Sequence, residues 1–232
     1  MRNPISIAEN VDNMEFMARF PDKYFELAIV DPPYFNGPEK LGYYGNVKSK
    51  TKVKRQSYNI IGSWEVPQET YFRELYRISK NQIIWGINYY EKYCNCNGRI
   101  VWDKVNDFST FSDGEIASCS LIDTVRFFRF MWNGMLQQDM KNKEVKIHPT
   151  QKPVALYKWI LQNYAKQGDK IIDTNLGSQS SRIAAYEMGF DFYSCELDED
   201  YFNEGNTRFE NAIKQTSLFT FAEQTVEQLK LI

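Results

Sequence analysis

The chain is 232 residues long, a length that suits one α/β domain better than two. Hydrophobic residues make up 43% and charged residues 25%, the balance of an ordinary globular core, and a net charge of −2 argues against a uniformly basic surface. No apolar run approaches the roughly 18 residues that span a membrane, and no basic segment followed by an apolar one opens the chain, so a cytoplasmic location is expected.

Residues 24–31 contain the apolar run 27–30 and predict a buried parallel strand ending at Asp31. Pro32 and Pro33 cannot continue a sheet, because proline lacks the donor N–H. A loop rich in Gly, Asn, Lys and Tyr follows over 34–64. A loop of that length in a compact domain is functional or disordered. Residues 68–80 predict a helix with Tyr71, Phe72, Leu75 and Ile78 on one face. Strands are expected at 82–85, closing at Gly86, and at 99–103, with two more between 115 and 132. The polar stretch 141–146 reads as a loop. Pro153 suits the first turn of a helix reaching about Tyr164, with Leu156, Ile160, Leu161 and Tyr164 on its buried face. Then come a strand at 170–173, a loop at 174–179, a helix at 180–188 ended by Gly189, and a strand at 190–195. The tail after about Thr216 reads as a helix or a frayed end. Alternating strands and helices predict a mostly parallel sheet covered on both faces.

The strongest chemical signal is Asp31-Pro32-Pro33-Tyr34 at the carboxyl end of a strand, where open α/β sheets bind ligands. These residues suit the activation of a planar amine. The lone pair of an adenine amine is delocalised into its ring. Two acceptors aimed at its hydrogens favour a more tetrahedral, nucleophilic nitrogen. The Asp31 carboxylate can supply one acceptor and the Pro32 carbonyl the other, with Pro33 fixing its direction. Tyr34 offers a ring for a base to stack on, and a base held this way has left its duplex. The plain alternative is a strand that ends in an Asp-Pro turn.

A second signal runs from Ile171 to Ser181: strand, small-residue loop and helix start. Gly177 and Ser178 permit close approach of a ligand to the backbone, and Glu196 ends the next strand, where an acid can grip a ribose. With one glycine in the loop this is no pyrophosphate fingerprint, and S-adenosylmethionine fits better than a dinucleotide. The third signal is His148-Pro149-Thr150-Gln151-Lys152-Pro153, with Thr150 also a candidate helix cap. Lys48, Lys50, Lys52, Lys54 and Arg55 put five cations and no anion in 48–55, which suits phosphate contacts in DNA. Cys94, Cys96, Cys119, Cys195 and the single His148 form no complete zinc set, so no metal and no disulfide are expected.

Together the three motifs resemble the amino-methyltransferases of DNA that make N6-methyladenine or N4-methylcytosine. Their order, with D-P-P-Y before the cofactor loop, resembles the circularly permuted β group. The resemblance covers about residues 5–210. It implies a class I methyltransferase fold, Rossmann-like, with a seven-stranded sheet and helices on both faces. It also implies a catalytic motif at Asp31, Pro32, Pro33 and Tyr34. Cofactor contacts are implied at Asp12, Asp31, His148, Thr150, Lys152, Asp173, Gly177, Ser178 and Glu196. Residues 82–88 and Asp113-Gly114-Glu115 are similar to family segments that flank the base pocket. Two positions depart from the pattern. Asn175 stands where Phe is usual, and Gln179 stands where a second glycine is usual. The Gln179 side chain is expected either to crowd the methionine carboxylate of the cofactor or to hydrogen-bond to it.

The expected reaction is direct methyl transfer to a flipped adenine in DNA by a single domain spanning 1–232. Residues 35–65 and 104–147 are its candidate recognition loops. Adenine is favoured because the cytosine members of the family more often begin the motif with Ser. N4-cytosine methylation, RNA adenine methylation and a catalytically silent nucleic-acid-binding module stay open as alternatives. Motif order argues against a protein glutamine methyltransferase. The resemblance also implies a homodimer.

Overall fold

The computed structural model describes residues 3–34, 65–106, 112–133 and 136–229. In chain order the elements are β1 (Ser6–Asn10), α1 (Asn13–Ala18), β2 (Phe25–Val30), α2 (Glu69–Ile78), β3 (Ser79–Trp85), β4 (Arg99–Asp103), β5 (Gly114–Cys119), β6 (Val125–Arg129), β7 (Trp132–Asn133), β8 (Leu136–Gln137), α3 (Val154–Tyr164), β9 (Lys170–Asp173), α4 (Ser180–Glu187), β10 (Asp191–Glu196) and α5 (Glu199–Leu229). Eight strands form one sheet in the order β1-β10-β9-β2-β3-β5-β4-β6, and β7 with β8 make a small hairpin. Within the large sheet only β5 runs against its neighbours. The sheet has eight strands where the resemblance implies seven, because β6 adds in parallel beyond β4.

Each central strand buries both faces. Leu27 and Ile29 of β2 join Ile83, Trp85 and Ile171 in a layer closed by Leu156, Tyr157 and Ile160 of α3 and by Ala184 of α4. Ala28 and Val30 face the other way, onto Phe16 and Met17 of α1 and Tyr71, Phe72 and Leu75 of α2. Burial on both faces is why β2 reads as a continuous apolar run. α2 keeps its expected face, with Tyr71, Phe72, Leu75 and Ile78 buried. The chain turns straight from α2 into β3 at Ser79, whose Oγ donates to the Leu75 carbonyl. That strand therefore starts three residues before the expected 82–85.

Pro153 occupies the N-cap of α3, one residue ahead of its expected place. Thr150 is no helix cap: its Oγ1 lies 3.1 Å from His148 Nδ1. α5 runs through the tail, as one of the two readings of that segment expects. Within 104–147, β5 and β6 are sheet strands, so only the segments around them can act as loops.

β9 and β2 are neighbours, with Leu27 opposite Ile171 and Ala28 opposite Ile172. From β9 the chain continues through α4 to β10 on one side, and from β2 through α2 to β3 on the other. This is a topological switch point, where the two departing connections leave a crevice at the strands' carboxyl ends. The D-P-P-Y tetrapeptide and the 174–178 loop both open into it.

Candidate active site

A cavity of about 690 Å³ fills that crevice. Its wall brings together Asp12, Asp31, Pro32, Pro33, Tyr34, His148, Thr150, Lys152, Gly177, Ser178 and Glu196. Three sequence motifs far apart in the chain thus meet on one surface. Among the described residues, Asp173 is the one expected catalytic or cofactor residue off that wall. It is buried behind it, accepting from Ser181 Oγ at 2.6 Å and from the Asn175 backbone N–H at 3.0 Å. It braces the loop instead of facing the cavity. Lys48, Lys50, Lys52, Lys54 and Arg55 lie outside the described residues.

The loop after β9 is held from several sides. The Gly177 N–H donates to Glu196 Oε2 at 2.7 Å, and the Asp198 N–H donates to Oε1 at 3.0 Å. Burial raises the Glu196 carboxyl above its ordinary value, and these backbone donors oppose the shift. Tyr71 reaches across from α2, its hydroxyl 2.7 Å from Thr174 Oγ1 and donating to Asn175 Oδ1 at 3.0 Å. Arg208 of α5 donates to the Ser178 carbonyl at 2.5 Å and to Glu144 Oε2 at 2.6 Å. Asp12 caps α1 by accepting from the N–H groups of Met14 and Glu15, which fixes its carboxylate at the cavity rim.

Gln179 departs from both expectations. It takes a left-handed backbone conformation (φ 62°) and is fully buried, with its side chain turned into α5 and away from the cavity. Its amide donates to Asn206 Oδ1 at 3.0 Å and accepts from Arg182 at 2.9 Å. The left-handed turn that a glycine would make is made by a glutamine, and the side chain is accommodated elsewhere.

At the far end of the cavity stands Asp31. Lys152 Nζ binds its Oδ2, while Oδ1 is buried with no hydrogen-bond partner among the described residues. Burial raises the Asp31 carboxyl above its ordinary value, and the Lys152 ammonium opposes that shift. Beside it, Tyr90 donates to the Pro33 carbonyl and so fixes the Pro-Pro unit. The Tyr34 ring stacks on Tyr89, with centroids 4.7 Å apart and planes within 4°. His148 packs its ring edge-on against Tyr201 at 4.3 Å, and burial pushes its pKa down to about 3, so it is neutral. With Asp12, Asp31, Glu196, Asp198 and Glu199 on the wall, the cavity favours a cationic ligand.

A family model for DNA methylases matches residues 123–207, the span that carries His148, Thr150, Lys152, Asp173, Gly177, Ser178 and Glu196. The type II methyltransferase M2.DpnII of Streptococcus pneumoniae is 22% identical over 86% of this chain and 87% of its own. The family model and this relative support a DNA amino-methyltransferase. The type II methyltransferase M.BglII of Bacillus subtilis is also 22% identical, over 83% of this chain and 65% of its own. Two solved structures share its fold. The M1.HpyAVI–SAM complex superposes with a TM-score of 0.54 at 16% identity, over 87% of this chain and 98% of that chain. PvuII DNA methyltransferase, cytosine-N4-specific, gives 0.56 at 12%, over 91% and 92%. The family match begins at residue 123 and so does not reach Asp31 to Tyr34.

Sequence reasoning did not assign Tyr71, Tyr157, Thr174 or Tyr201 to the cavity wall. Tyr71 was legible only as part of the apolar face of α2. Its hydroxyl, at the end of a buried ring, is the polar handle that such a face conceals. Lys104 gave no sequence signal, and Gly86 was legible only as part of the 82–88 segment that the resemblance sets beside the base pocket, not as the residue packed against Tyr34.

Proposed function

We propose that this DNA methyltransferase transfers the methyl group of S-adenosylmethionine to the N6 amine of an adenine turned out of its duplex. The observation that carries the reading is Asp31 Oδ1 at the cavity wall, a buried acceptor without a partner among the described residues. Such an atom is costly to leave unsatisfied unless a ligand completes it. An exocyclic amine N–H is a donor of the right kind. The S-adenosylmethionine family cofactor supplies an electrophilic methyl on a cationic sulfonium. The acidic wall and the neutral His148 suit that charge. Glu196 and Asp12, both on the cavity wall, would accept from hydroxyl and amine donors.

The protein contributes positioning. Asp31 accepts from the amine and steers its lone pair toward the methyl group. Tyr34 presents a ring for the base, and the Pro-Pro unit fixes both. No covalent enzyme intermediate is needed. Adenine is preferred over cytosine because the first motif position is Asp. The same acceptor geometry would serve a cytosine N4 amine. DNA contact is assigned to Lys48, Lys50, Lys52, Lys54 and Arg55 and to the turns within 104–147, and pairing of two copies is part of the reading.

The test is methyl transfer from labelled S-adenosylmethionine to mixed-sequence duplex DNA, with nucleoside analysis of the product. Labelled N6-methyladenine is expected, and Asp31→Ala should lose it while still folding. Labelled N4-methylcytosine would correct the base. Label on RNA alone, or on nothing, would overturn the reading.

A further inference from the structure

Asp31 is one end of a chain of charges. Lys152 Nζ lies between two carboxylates, bound to Asp31 Oδ2 on one side and 2.8 Å from Glu115 Oε2 on the other. Glu115 Oε1 is in turn 2.5 Å from Lys104 Nζ. The four charges alternate, and they come from four segments: the end of β2, the residues before α3, β5, and the residue after β4. The Lys152 side chain is 1% exposed, and none of the other three exceeds 19%. The Trp85 ring lies 5.5 Å from the Lys152 ammonium. A lone charge at this depth is costly, and alternation is what makes the set tolerable. Glu115 and Lys104 do not line the cavity, so neither meets a ligand there.

Resting on the reading of Asp31 as the amine acceptor, we infer that Glu115, backed by Lys104, is a positioning residue that holds Lys152 where it fixes one oxygen of Asp31 and leaves the other for the base. Lys152 bound to Asp31 alone would neutralise the acceptor. Glu115 shares the ammonium and returns negative character to Asp31. Its negative charge also raises the Asp31 pKa, whereas Lys152 and Lys104 lower it. The other titratable or charged groups near the chain are Tyr34, Tyr90, Tyr157, His148, Asp173 and Lys146. All of them are unchanged in the variants below.

Single-turnover methyl transfer to duplex DNA, followed from about pH 5 to pH 9, tests this with Glu115→Gln and Lys104→Met. Both variants should slow transfer by roughly tenfold to a hundredfold, because a misplaced reacting group costs that order. Affinity for S-adenosylmethionine, measured by titration, should hold. The acid limb of the profile should move to lower pH in Glu115→Gln and to higher pH in Lys104→Met. Glu115→Asp should recover part of the rate. A general loosening of the site would not move the limb in opposite directions. Limbs that stay put or move together overturn the inference. If one variant fails to bind cofactor, the direction of the other decides alone. If the unaltered protein transfers no label, the underlying reading of function has failed instead.

Discussion

Two residues set the stakes at the residue scale. Gly86 has φ +69°, and a Cβ placed there would lie 2.4 Å from Cδ1 of Tyr34. Gly86→Ala therefore has to displace the ring that the base would stack on. It is expected to cost roughly 1–2 kcal/mol in unfolding free energy from the backbone alone. It should also raise KM for DNA while leaving cofactor affinity in place, a split that steady-state kinetics and calorimetry read separately. Asp173 carries a linked pH dependence. Burial raises its pKa from 3.8 to about 7. A carboxyl with a raised folded pKa favours the fold in its protonated form, so its contribution is full below 3.8 and is lost as pH rises through about 7. Compared with Asp173→Asn, the unaltered protein should lose stability between those values and not above them, as urea unfolding at a series of pH values would report. At this scale the sequence is most legible where one local stretch holds the chemistry. Asp31 to Tyr34 and His148 to Lys152 are short motifs, and both reach the cavity. The partnership of Glu115 with Lys104 is hidden because it depends on the antiparallel turn of β5 against β4, which no periodicity announces.

Among the elements, α4 and α5 show how a departure from pattern is absorbed. Gln179 takes the left-handed turn before α4 and sends its side chain into the notch left by Gly205 of α5. A Cβ on Gly205 would lie 2.6 Å from Gln179 Cγ. Gly205→Ala, a change that normally favours a helix, should instead destabilise by roughly 1–3 kcal/mol through overpacking. The double change with Gln179→Gly should restore the loss, and thermal unfolding of the three variants checks the coupling. The strongly apolar strands β2 and β9 and the amphipathic α2 were legible because burial imprints their composition. β1 was not, since its residues Ser-Ile-Ala-Glu-Asn carry no apolar run and it lies at the sheet edge, where Ile7 stays 36% exposed.

For the whole molecule, strand–helix alternation and motif order were enough to give the layered sheet and the place of its crevice. The number of strands was not, because β1 carries no apolar run, whereas the two strands expected within 115–132 are present as β5 and β6. On the proposed reading, the basic residues 48–55 should leave a measurable mark on a DNA complex. Replacing Lys48, Lys50, Lys52, Lys54 and Arg55 with Gln should weaken binding to all duplex sequences alike. The slope of log K against log salt should become shallower by about one for each phosphate that the variant no longer neutralises. An unchanged slope in a filter or fluorescence titration would remove these residues from the interface.

The pairing of β2 with β9 also has a consequence in time. Ala28 lies opposite Ile172, and Ser6 of β1 lies opposite Phe192 of β10, so the two halves of the reaction centre are encoded most of a chain apart. During synthesis the acceptor strand must wait for its cofactor-side neighbour, with its apolar edge unpaired until then. Contacts so distant in sequence carry a large loop-closure cost and fold slowly. Catalytic competence should therefore be the last property a refolding chain acquires, and the half-built sheet its stage of greatest exposure to aggregation.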